Sequence, residues 1–182
     1  IEITPATIAL VDETPREGYA FVRTDVDPET RASIGQMRFG VDAFAFDVRW
    51  WGRNRQRFRA YIAGEPVWDN VYAAILLAHS NGGFVDREGL LLHERHESPW
   101  RDSPYDDYTW YLAALDRPYF SLWSAFHAEL MALGAAGAGA DAVDALRNRV
   151  FDASRLHRGR VLQLLRAAKA RARYAVHGLR RP

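Results

Sequence analysis

The run "FGVDAFAFDVRWW" constrains the fold more than any other stretch. In an extended chain Val41, Ala43 and Ala45 face one way, and Asp42, Phe44 and Phe46 face the other. Both sets are largely apolar, so this strand has to be covered on both faces. Coverage on both sides requires layers, and the sequence offers a helix to supply one. "WDNVYAAILLAHSNGG" has Asp69 near a helix start, an apolar stripe through Val71, Ile75 and Ala78, and Gly82-Gly83 to stop it. With 182 residues, 48% of them hydrophobic, the chain can bury a core without staples. The expected class is α/β, a mixed sheet followed by a helical C-terminal section.

The remaining stretches fill in that layout. "ATIALVDE" and "GYAFVRTDVD" read as strands joined by the turn-forming "TPREG". "DPETRASIGQ" reads as a loop or a short helix capped near Asp27, and "GRNRQRFR" as a basic connector. "GLLLHERHE" reads as a short strand running into a polar loop, and "SPWRDSPYDDY" as a turn-rich aromatic cover. From about Thr109 the spacing of aromatics is helical, broken at Pro118 and again at the small-residue linker "AAGAGA". The organisation predicted is an α/β region over 1–108 and a helical extension over 109–182.

There is no cysteine, which excludes disulfides and thiolate metal sites and favours a reducing, cytoplasmic compartment. The apolar runs fall short of a membrane span, and the first residues lack a basic-then-apolar signal pattern. The net charge of +1 hides an asymmetry. From Arg155 onward there are eight arginines and Lys169, and no acid. Residues 155–182 can therefore meet an anionic lipid surface, phosphates or an acidic protein partner, or simply form a solvated helix face. No nucleic-acid partner is expected.

Four groups of residues carry candidate chemistry. Asp69 follows Trp68 at a helix N-terminus. It is either an ordinary cap or a carboxylate at the base of a pocket that takes a proton from a hydroxyl, with Glu65 and Pro66 shaping the loop before it. His93 and His96 in "HERHE" can bind a divalent ion from one face of a helix, but on a strand they point to opposite sides. The zinc-protease spacing His-Glu-x-x-His is not met. Asp25 and Asp27 in "TDVD" can hold Mg²⁺ or Mn²⁺ against a diphosphate, though Asp27 precedes Pro28 and equally suits a turn. Trp100, Tyr105, Tyr108, Trp110 and Tyr111 can stack on sugar or base faces or pack a lid, and Arg53, Arg55, Arg57 and Arg59 can contact phosphates or line a solvated loop. Neither a Gly-rich phosphate cradle nor a serine nucleophile elbow is present.

The order "GVDAFAF", then "AYIAGEPVWDNVYAAILLA", then "LLLHERHESPW" resembles the C-terminal half of bacterial nucleotide-diphospho-sugar transferase-like proteins, glycosyltransferases of the GT-A type. The resemblance covers Phe39 to Trp100. It implies a nucleotide-sugar donor, a glycan or other hydroxyl acceptor, and a Mn²⁺ or Mg²⁺ ion. Asp69 would be the base, with Glu65 beside it. Trp68, Asn70, Asp42 and Trp100 would line the substrate, and His93, His96, Asp25 and Asp27 would lie at the metal or diphosphate. The residues before Gly40 are few for a full nucleotide-binding region, so the resemblance implies a GT-A-like mixed sheet or only its acceptor half, with "TDVD" as a stand-in for the metal motif in the first case. Two other classes stay open: a non-catalytic binding or scaffolding module that docks through its basic tail, and a metal-dependent hydrolase.

Overall fold

The computed structural model describes residues 1–37, 40–96, 105–137 and 139–151, with isolated positions between 165 and 175. Its described elements run β1 (Glu2–Ile3), α1 (Pro5–Glu13), β2 (Gly18–Phe21), β3 (Arg23–Val26), β4 (Ser33–Met37), β5 (Ala43–Phe46), α2 (Val48–Asn54), a 3₁₀ turn (Arg55–Arg57), α3 (Trp68–His79), β6 (Gly83–Val85), β7 (Leu91–Glu94), α4 (Asp106–Leu115), α5 (Arg117–Ala135) and α6 (Ala140–Val150). The fold is mixed α/β. One sheet has the order β1-β7-β3-β4 and the other β5-β2-β6. Each mixes parallel and antiparallel pairs. No helix among the described residues is long and apolar enough to cross a membrane.

"GYAFVRTDVD", expected as one strand, is split between the two sheets. Val22 is the joint: β2 pairs in parallel with β6, and β3 in parallel with β7. The Val22 N–H donates to the Val85 carbonyl at 3.1 Å, and the Gly89 N–H donates to Thr24 Oγ1 at 2.9 Å. The chain thus leaves the β5-β2-β6 sheet at Val22 and enters the β1-β7-β3-β4 sheet at Arg23.

The covering of β5 on both faces is partial: the strand lies at the edge of its sheet and all four of its residues are half-buried. Ala43 and Ala45 pack against Tyr19 and Phe21, with Leu10 and Val11 of α1 behind them. Phe44 and Phe46 lie against the large core of Trp50, Ala73, Leu76, Leu77, Trp123 and Phe126. The strand is shorter than expected, however. Asp47 accepts a hydrogen bond from the Trp50 N–H at 2.8 Å, a helix N-cap that turns "VRWW" into the start of α2.

"ATIALVDE" is not a strand but helix α1. Pro5 sits at the first helical position, where its fixed φ and missing N–H cost nothing, and Thr7, Leu10 and Val11 follow at helical spacing. The β-branched Thr7, Ile8 and Val11 were a misleading strand signal, because tertiary packing overrides so weak a preference. Ile8 points outward at 58% exposure.

Helix α3 is the centre of the molecule. Asn70, Val71 and every residue from Ala73 to Ala78 are buried, because α3 lies between the sheets and the C-terminal helices. Trp123 and Phe126 of α5 close on Phe84 of β6 at ring separations of 5.9 and 5.1 Å. Arg147 of α6 donates to the Leu77 and Ser80 carbonyls, satisfying the end of α3 with a cation where the helix dipole favours one.

Gly18 marks the tightest approach of sheet to helix. A methyl group there would stand 2.5 Å from Leu76 Cδ1 and 2.9 Å from the Ala45 carbonyl oxygen. Gly18→Ala is expected to cost about 1–3 kcal/mol by overpacking. Urea denaturation checks this, and a variant as stable as the parent would refute the close contact.

Candidate functional site

A turn whose backbone is under strain opens the site. Gly64 takes a φ of 88°, and Val67, the residue before α3, takes a φ of 81°. A left-handed conformation is rare for a β-branched residue and costs of order 1–3 kcal/mol. Val67 is held there because its side chain is buried with Val71 and Ile75. Val67→Gly relieves the backbone while forfeiting that burial, so it is expected to shift stability by less than about 1 kcal/mol. Val71→Gly, within helical geometry, loses burial and helix propensity together and is expected to cost about 3 kcal/mol. Equal losses in thermal denaturation would show that the strain at Val67 is not real.

The turn aims the first residues of α3. Trp68 packs edge-on to Phe44 and Tyr72. Asn70 is buried at 2% exposure. Val67 holds the cap position of α3, and the Asp69 carboxylate accepts the Val41 N–H at 3.1 Å, ahead of β5, as well as the N–H groups of Asn70 and Asp69 in the first turn of its own helix. Burial pushes its pKa up to about 6. The N–H groups of Val41, Asn70 and Asp69 itself pull the other way, and the nearby Asp42 carboxylate adds to the rise. Glu65 lies in the turn with its Oε2 shielded from solvent.

A line of charge leads away from Asp69. Arg23 Nη1 donates to Asp42 Oδ1 at 2.9 Å, and Arg23 Nε lies 2.8 Å from Asp25 Oδ1. The parallel register of β3 and β7 sets Asp25 opposite His93, whose Nδ1 is 3.1 Å from the same Asp25 oxygen. A carboxylate only accepts, so Nδ1 carries the proton and Nε2 keeps its lone pair. Burial lowers the His93 pKa, and the Arg23 cation lowers it further against the pull of Asp25 and Asp42. His93 is thus neutral at pH 7. The His96 ring stands 5.0 Å from that of His93, centre to centre. Asp42 Oδ2 is buried with no hydrogen-bond partner among the described residues.

Asp69, Asp42, Asp25, His93 and His96, all singled out from the sequence, therefore follow one another across one region. Asp27 does not join them. It lies in an exposed turn, where Oδ1 accepts from the Glu29 N–H, the Thr30 N–H and the Thr30 hydroxyl, and the bonds from Thr30 hold its pKa down. Trp100 lies outside the described residues, as does most of 155–182.

Donor chemistry tests the implied cation. The Asp25 oxygen that faces His93 is shared with the Arg23 guanidinium, which repels a second cation. Among the described residues no group of three or more His, Asp or Glu side chains is arranged to hold a metal ion. These residues do not fit a Mn²⁺ or Mg²⁺ site by themselves. Three of the four arginines of the basic connector are engaged within the fold, Arg53 with Glu17, Arg57 with Asn54 and Arg59 with Asp116, while Arg55 is exposed.

Two features went unnoticed in the sequence. One is Arg23, a cation inside a strand that links two of the candidate acids. The other is a belt of aromatic rings beside Trp68. Phe44 and Trp68 are 6.0 Å apart, Trp68 and Tyr72 5.6 Å, Tyr72 and Phe58 4.8 Å, and Phe58 and Trp51 5.1 Å. Each ring is partly solvent-exposed, Trp51 at 37%. On the opposite face of β5, an open cavity of about 230 Å³ between α1 and the strand is lined by Ile8, Val11, Phe21, Ala43, Ala45 and Leu91, and holds none of the charged site residues. No family model, curated protein or solved structure matches this chain.

Proposed function

We propose that this chain carries a glycosyl-transfer site of GT-A type, with donor and acceptor sides, where a sugar passes from a nucleoside-diphosphate donor to a hydroxyl acceptor. The observation that carries the reading is Asp69, a mostly buried carboxylate with a pKa of about 6, fixed by the Val41 N–H at a strained helix entry. Such a group is ionised at neutral pH yet basic enough to take a proton, the compromise general-base catalysis requires. In the step, Asp69 receives the acceptor hydroxyl proton as that oxygen bonds to the anomeric carbon. The bond from that carbon to the diphosphate breaks, and the nucleoside diphosphate leaves with the electron pair.

Asp42 and Arg23 set the field around the base. Burial keeps Asp69 basic and the Asp42 carboxylate adds to the effect, while Arg23 offsets the charge of Asp42 and so keeps the pair of acids tolerable. No step is routed through a metal. Thermal denaturation with UDP, GDP, dTDP, CDP and ADP, each with and without Mn²⁺, tests the donor side. Stabilisation by one nucleotide is expected, since a ligand bound only to the native state raises the melting temperature. No shift with any nucleotide would overturn the transferase reading, and a shift that needs Mn²⁺ would show that residues beyond those described complete a cation site.

A further inference from the structure

We infer that the cavity between α1 and β5 is a binding site for a medium-chain aliphatic amine, an alkyl chain whose ammonium end lies beside Asp12. The cavity takes no residue from the Asp69 site, so this assignment stands or falls independently of the transferase reading.

Both sheets and a helix supply the walls. Ile3 and Leu91 come from the β1-β7 pair, Ala43 and Ala45 from β5, and Ile8 and Val11 from α1. The two alanines are the smallest lining residues, and a longer side chain at either would enter the space. Ile3 and Ile8 line the cavity yet stay 59% and 58% exposed. An alkyl chain seated there takes their apolar surface out of water, which is the main source of affinity in a site of this kind. Size sets the length of the chain. A cavity of roughly 150 Å³ holds the six carbons of benzene. The space of about 230 Å³ therefore suits a chain of about eight or nine carbons.

Polarity sets the head group. The Thr7 hydroxyl is committed to the Leu90 carbonyl, and Asp12 is the one charged residue among the described lining residues. Asp12 and Glu13 form the end of α1, whose last turn holds no basic residue. The helix dipole adds partial negative charge at that end. Neither acid has an ion-pair partner among the described residues. A carboxylate or phosphate head would be repelled here, whereas an ammonium offsets both the acids and the dipole. A lysine side chain from another protein has the right charge, but its four methylenes fill only about half of the space. The volume thus favours a free amine with a longer tail.

The test titrates the whole chain with n-octylamine, 1-octanol, octanoate and n-propylamine, followed by calorimetry and by the methyl NMR signals of Ile3, Ile8 and Leu91. Octylamine is expected to bind saturably and to move those methyls. Propylamine, shorter by five methylenes, should bind more than about a hundredfold more weakly, since each buried methylene contributes a factor of roughly three to four. Asp12→Asn should weaken octylamine by about two- to fivefold, the effect of an exposed ion pair, and leave octanol unchanged. Asp12 is exposed and makes no contact the fold depends on, so this variant tests charge alone. Ala45→Val puts two methyl groups into the cavity and should weaken octylamine and octanol alike by about tenfold, the loss of two buried methylenes. Ala43→Val is a second filling variant with the same expectation. No saturable binding of octylamine would overturn the site, and so would parental affinity in both filled variants at parental melting temperature. Octanoate binding as tightly as octylamine would overturn it too, because the head group would then not answer to Asp12. Methyl shifts that follow protein concentration rather than added amine would overturn it in favour of contact between copies of this chain.

Discussion

Asp69→Asn is expected to abolish transfer while making the protein more stable at pH 8. The two effects have one cause. In the folded chain burial raises the Asp69 pKa to about 6, against about 3.9 for an unfolded aspartate. Below pH 4 the carboxyl is protonated in both states and contributes no difference. As the pH rises from about 4 to 6 the unfolded chain releases the proton and the folded chain retains it, so stability falls across that window. Above pH 6 the deficit is complete, at most about 3 kcal/mol for a shift of about two units. Asparagine carries no charge, and its carbonyl oxygen can still accept the Val41 N–H. The variant should therefore gain about 1–2 kcal/mol above pH 6, several degrees in melting temperature for a chain of this size, and match the parent below pH 4. Transfer should fall by about 10²–10⁴-fold through loss of the base, and parental kcat/KM should decline below pH 6. Melting curves across pH are the decisive measurement. A variant destabilised equally at pH 4 and pH 8 would make Asp69 a structural cap after all.

How far the residues disclosed this arrangement depends on the range over which each signal acts. Helix α3 and the two-faced strand β5 were legible because periodicity is local and the buried faces are dense in apolar side chains. Asp69 was legible for the same reason, since its place at the head of a helix follows from its neighbours. That it would reach past its own helix to Val41 was not, because that bond spans 28 residues. Helix α1 was misread through its β-branched residues, whose intrinsic preference yields to Pro5 at the first turn and to packing on the sheets. The break at Val22 left no mark, because both halves have strand composition and only pairing partners separate β2 from β3. The approach of Asp25 to His93 depends on parallel register, which no spacing within either segment encodes. The aromatic belt was invisible for a related reason: its rings converge only when β5, α2 and α3 are assembled. The role of Arg23 depends on β3 lying where its guanidinium reaches both Asp42 and Asp25, which its place in the sequence does not encode.

Replacing Arg23 tests whether that geometry is an electrostatic unit. The guanidinium contacts both Asp42 and Asp25, and all three side chains are largely buried, at 17–20% exposure. Arg23→Ala leaves two carboxylates without their shared cation, a change expected to cost about 3 kcal/mol, since an uncompensated charge in a shielded site is expensive. His93 reports the same event. The cation lowers its pKa, so removing Arg23 while Asp25 and Asp42 remain should raise it, visible in the imidazole NMR titration. The direction fixes the pH dependence. In the parent a lowered His93 pKa means the folded state resists protonation, which costs stability as the pH falls past the unfolded value. The variant loses part of that acid penalty, so its deficit relative to the parent should be smaller at pH 5 than at pH 8. Adding Asp42→Asn to Arg23→Ala removes one of the stranded charges and should recover part of the loss, a coupling that independent sites do not show. If the double variant recovers nothing and the His93 titration stays put, Arg23 contributes packing alone, and the line from Asp69 to His93 is not one electrostatic system.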